Sequence, residues 1–169
     1  MSIIRLPVIV FVLVAVGFLS DLALIWPSLP ARVATHFDLG GHPNGWSSRE
    51  QLLSMTAFLT FGFGGLIVGA RLIKSASLDS LNLPNRDYWL VPERADATLD
   101  VLVAWSRWFL VFVFAFIAAI EMGGVHANLL APILFSMDIL LLVVGFLICV
   151  LAMIGWLVWR FRLPTAQTL

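Results

Sequence analysis

Four apolar runs decide what this chain can become. They cover roughly residues 6–26, 51–73, 102–122 and 129–159, and each meets the length of about 20 residues that a helix needs to cross a bilayer. In lipid a helix satisfies its own backbone, so the expected fold class is all-α: a polytopic membrane protein with four transmembrane helices and a short cap between the first two. Composition agrees. Of 169 residues, 61% are hydrophobic and 12% are charged, whereas a soluble surface needs about a quarter charged. Mean hydropathy is +1.01. A single integral domain over residues 1–169 is expected, with the first run a permanent crossing and not a cleaved leader. The fourth run is long for one crossing and should tilt or project. In the second, Gly65 and Gly69 have the spacing that lets two helix backbones approach closely.

Basic residues orient the bundle. Arg5, Arg71, Lys74, Arg86, Arg94, Arg160 and Arg162 fall on the side shared by both ends and the loop at 75–100. Only Arg32 and Arg49 fall on the other side, and Arg107 lies just inside the third run. That bias places both termini in the cytoplasm and residues 29–50 outside, in a multi-pass protein of the bacterial inner membrane. Trp26 suits the outer boundary, and Trp105, Trp108, Trp156 and Trp159 the inner one. Formal net charge is zero, so no nucleic-acid partner is expected. Cys149, the one cysteine, reads as a small apolar side chain.

The segment 29–50 is the longest polar interruption in the first half. Residues 32–38 alternate as a short strand, with Val33, Thr35 and Phe37 on one face and Arg32, His36 and Asp38 on the other. Residues 40–45 carry turn chemistry. Ser47 to Glu50 matches a capping box, which starts the second helix near Ser48. In the inner loop Tyr88, Trp89, Arg86 and Arg94 suit the headgroup zone, and Pro92 with Glu93 reads as a helix start.

These residues carry a likeness. Pro30, His36-Phe37-Asp38 and Gly41-x-Pro43-Asn44-Gly45-Trp46-x-Ser48-Arg49 resemble the motif of a bacterial membrane-protein family, domain of unknown function 1648. Its relatives include the SdpI-type immunity proteins, which protect a cell from a secreted toxin and relay its presence to a repressor. The likeness covers about the first 75 residues, and the segment 84–94 resembles part of longer members. It implies a binding or signalling role for His36, Asp38, Gly41, Pro43, Gly45, Trp46, Ser48 and Arg49, either in ligand contact or in building the motif.

Acidic groups inside the runs are the remaining candidates. Asp21, Glu121 and Asp138 lie in the outer part of the first, third and fourth runs. A carboxylate at the bilayer centre costs about 2.5–3.5 kcal/mol, so such groups face the bundle or a water pocket. His36, His42 and His126 share their side. One reading joins His36 and Asp38 to Asp21, Glu121, His126 and Asp138, with His36, His126 and Glu121 as ligands for Zn or Cu. The other has each carboxylate bonding amides of the folded cap and His36 packed within it. No nucleophile motif and no phosphate-binding glycine pattern is present, so no catalytic residue and no enzyme are expected. The functional expectation is a non-enzymatic protein that recognises a peptide or protein with its outer motif. Two alternatives stay open: an accessory subunit of a larger membrane complex or homo-oligomer, and a metal-binding or transport protein.

Overall fold

A computed structural model describes residues 5–135 and 139–163 of the chain. In order come α1 (Leu6–Ile25), β1 (Arg32–Phe37), β2 (Pro43–Ser48), α2 (Arg49–Gly69), the single turn α3 (Arg86–Trp89), α4 (Pro92–Ala127) and α5 (Ile139–Arg160). Helices α1, α2, α4 and α5 are long and apolar enough to cross a membrane. The all-α architecture with a cap between the first two crossings is therefore the observed one.

Two boundaries differ from the sequence expectation. The third crossing starts at Pro92 and not near residue 102, because the helix that Pro92 and Glu93 begin runs on into the apolar segment without a break. The resulting α4 is 36 residues long, about 54 Å at 1.5 Å per residue, well over the hydrocarbon thickness. The fourth crossing is described from Ile139, and the helix expected from near residue 129 is not observed over residues 129–135. Residues 128–135 instead form turns and irregular chain that includes Pro132, which has no amide hydrogen to donate to a helix. Apolar residues alone do not dictate a helix there.

Helix α4 is the axis of the molecule. Phe114, 1% exposed, stands at its centre and meets Phe11 and Phe18 of α1 and Phe63 of α2 at ring-centroid distances of 4.9, 6.3 and 5.5 Å. Ala15, Ile67, Val111 and Ala118 complete that cluster. The close approach between α1 and α2 uses Gly64, where an added Cβ would lie 3.3 Å from Phe11. Gly65 and Gly69, expected to serve this purpose, face open space. Near the far end of α2, the buried Arg107 of α4 donates from Nε to the Ile67 carbonyl at 2.9 Å, where last-turn carbonyls begin to lose helical donors.

Helix α5 is attached differently. Its Phe146 stacks on Phe112 and Phe116 of α4, and Trp105 donates its indole hydrogen to the Met153 carbonyl at 3.1 Å. None of its membrane window is buried inside the molecule. Its C-terminal end is clamped by the segment around α3: Asn85 Nδ2 and Trp89 Nε1 each donate to the Phe161 carbonyl at 2.9 Å. Phe161 itself is buried against Leu83 and Leu90. Trp89, read from the sequence as a headgroup anchor, thus caps a helix. Lys74 bridges Asp96 and Asp100, tying the end of α2 to the start of α4.

Candidate functional site beneath the hairpin cap

The segment 29–50 folds as a β-hairpin, with β1 and β2 antiparallel and registered Arg32 to Ser48, Val33 to Ser47, Ala34 to Trp46, His36 to Gly45 and Phe37 to Pro43. The second strand corrects the expectation of a turn at 40–45. Pro43, Asn44 and Gly45 are poor strand formers taken alone, but pairing to β1 fixes them, and Gly45 is required because a Cβ there would sit 2.6 Å from the Cβ of His36. The turn proper is 38–42. Asp38 Oδ1 accepts from the amides of Gly40 at 2.8 Å and His42 at 2.9 Å, and the His42 ring stands 3.6 Å away. The His42 amide, then Gly40 and the His42 ring, hold the Asp38 carboxyl below the usual aspartate range.

The capping box shifts by one residue. Ser48 Oγ accepts from the Gln51 amide at 3.1 Å, and Gln51 Oε1 accepts from the Ser48 amide at 3.1 Å. Strand pairing continues through Ser48, so Ser47 and Glu50 cannot form it. Arg49 then packs over Trp26, and Arg32 lies over Trp46.

Two contacts dock the hairpin on the helices. Gly41, at φ +80°, accepts through its carbonyl from the Phe135 amide at 2.9 Å, and an added Cβ would fall 2.3 Å from the Phe135 carbonyl oxygen. Only glycine fits both demands. The second contact is the buried Asn128 at the end of α4. Its Oδ1 accepts from the Ala34 amide at 2.6 Å, and its Nδ2 donates to the carbonyls of Ala34 at 3.0 Å and Gly124 at 2.9 Å. The side chain imitates a neighbouring strand at the free edge of β1. Sequence reasoning passed over Asn128; its polar amide at the end of an apolar run was the one available signal.

The acidic groups separate into two places. Asp21 Oδ2 and His126 Nε2 are 2.8 Å apart and join α1 to α4 at the cap end. Glu121 accepts a hydrogen bond from the buried Thr56 hydroxyl of α2. Asp21 and Glu121 line one narrow crevice with Phe18, Leu22 and Val125. Asp138 lies outside the described residues. His36 and Asp38 do not join this group: His36 is exposed on the hairpin and Asp38 is spent on its turn. The expected set of His36, His126 and Glu121 for Zn or Cu is not assembled, because β-pairing turns His36 outward while Asp21 engages His126. Among the described residues no three His, Cys, Asp or Glu side chains gather closely enough to hold a metal ion.

Between β1, α2 and α4 lies a crevice of about 330 Å³. Ala34, Thr35 and Phe37 roof it, Leu52, Met55 and Leu59 line one wall, and Ile117, Ile120 and Glu121 the other. Among the described residues Glu121 is the one ionisable side chain on its surface.

Fold and site together define a polytopic membrane protein with four apolar spanning helices and a docked β-hairpin over an apolar crevice. Residues 8–60 match the family described as Domain of unknown function (DUF1648). The match runs from α1 through the hairpin into α2, while α4 and α5 lie outside it. No curated protein and no solved structure matched the chain.

Proposed function

We propose that this chain is a non-enzymatic recognition protein of the bacterial inner membrane that takes part of a peptide or protein ligand into the crevice beneath the hairpin, in the manner of the immunity-type membrane proteins its motif resembles. The observation that carries the reading is the crevice itself, concave, mostly apolar and furnished, among the described residues, with one ionisable anchor, which is the form of a ligand site. The motif residues Asp38, Gly41, Pro43, Gly45 and Ser48 then serve by building and docking the roof, and His36, Trp46 and Arg49 by presenting its rim. Placement of the hairpin outside the cell rests on the excess of Lys and Arg at the opposite end.

The test is a challenge of cells that produce either the wild type or Ile117→Trp, whose indole would fill the crevice, with a panel of secreted toxic peptides. Wild type should protect against at least one peptide and the filled variant should not, at equal membrane levels. Equal protection by both would overturn the assignment. A second reading, an accessory subunit or homo-oligomer, is favoured by the unburied window of α5; native mass spectrometry from mild detergent would reveal the partner, and a lone monomer would remove it.

A further inference from the structure

We propose that the crevice recognises an alkylammonium group, the side chain of a lysine on the ligand, with Glu121 as its counter-ion. The inference rests on the crevice being the binding site and adds the chemistry of what enters it. Leu52, Met55, Leu59, Ile117 and Ile120 line the same crevice as Glu121, so its carboxylate opens onto an apolar space where a charge is poorly solvated and an incoming cation would be its partner. Among the described residues Glu121 takes part in none of the ion pairs, while His126 is engaged by Asp21, Arg49 by Glu50, and Lys74 by Asp96 and Asp100. Arg107 is 14 residues back along α4, about 21 Å at the helical rise.

The geometry also selects between cations. Thr56 already donates to Oε1 of Glu121, which works against the paired acceptors that a guanidinium fork prefers. An ammonium is a compact point charge and needs only one open oxygen. Its four-carbon stem would lie along the apolar walls while the head reaches the carboxylate. A volume of about 330 Å³ is at the small end of ligand sites and holds one long side chain.

The experiment uses the full chain in nanodiscs, with thermal unfolding followed by tryptophan fluorescence against added octylammonium or octanol, probes of equal length that differ in charge. Octylammonium should bind about tenfold or more tightly than octanol, the range of one charge-assisted hydrogen bond. The preference should vanish in Glu121→Gln, which keeps an acceptor for Thr56, and both probes should lose their effect in Ile117→Trp. Equal stabilisation of wild type by the two probes, abolished by Ile117→Trp, would overturn the ammonium assignment and leave the crevice as a site. Stabilisation that Ile117→Trp does not alter would overturn both. The wild-type comparison needs no variant, so a misfolded Glu121→Gln would not blunt the test.

Discussion

At the scale of single residues, Asn128 does more for the cap than any group in the motif. Its amide makes three hydrogen bonds, two of them to the backbone of Ala34, and both lie in a buried region. Asn128→Ala would leave an amide hydrogen and a carbonyl of β1 without partners, and each unsatisfied buried group costs about 1–3 kcal/mol. Expected is a loss of that order in denaturant unfolding, with faster hydrogen exchange at Ala34. Asp38 gives a pH signature. Its carboxyl is held below the usual range by the folded turn, so the turn is stabilised above the unfolded pKa and loses that help as pH falls through the folded one. The amide signals of Gly40 and His42 should shift on acidification below about pH 4 in wild type, and stay still in Asp38→Asn. Neither role could be read from residue type. The sequence places Asp38 at the end of a strand, on the face of Arg32 and His36, and an asparagine placed among apolar residues does not disclose which strand edge it completes.

At the scale of elements, legibility follows the distance over which each decision is made. The spanning helices and the start at Pro92 are local matters of apolar length and a fixed proline φ, and all four helices are present, with α4 running further than expected and α5 covering less. Strand β2 is a tertiary decision: Pro43-Asn44-Gly45 reads as turn until β1 is laid beside it, and the box at Ser48 and Gln51 moved for the same reason. The fourth run was expected to be helical from near residue 129 because hydropathy does not separate helix from irregular chain over residues 128–135. The clamp on α5 is another long-range decision, with donors 72 and 76 residues from their acceptor. Removing both, as in Asn85→Ala with Trp89→Phe, leaves the Phe161 carbonyl uncapped. The last turn of α5 should then fray, read as faster amide exchange at residues 157–161, while exchange in α1 and α2 is unchanged. Uniform exchange along α5 in the double variant would show that lipid contact holds this end instead.

At the scale of the whole molecule, the contacts fix which ends lie together, and charge then says which way they face. Lys74 joins the end of α2 to the start of α4, and the 85–89 turn joins the same region to the end of α5. The hairpin therefore stands at the opposite end, beside the C-terminal end of α4. Seven of the basic residues belong to the first end and only Arg32 and Arg49 to the second, and the proposed outward placement of the hairpin rests on that bias. The chain's single cysteine makes this measurable. On a Cys149→Ala background, Gly40→Cys at the hairpin tip should react with a membrane-impermeant maleimide in intact cells, because Gly40 is exposed. Ser80→Cys, equally exposed in the loop before α3, should react only after the cells are opened. The reverse pattern would turn the crevice toward the cytoplasm. Glu121 would then face intracellular ligands, and a role in meeting a secreted peptide would fall even if the crevice bound an ammonium group as argued above.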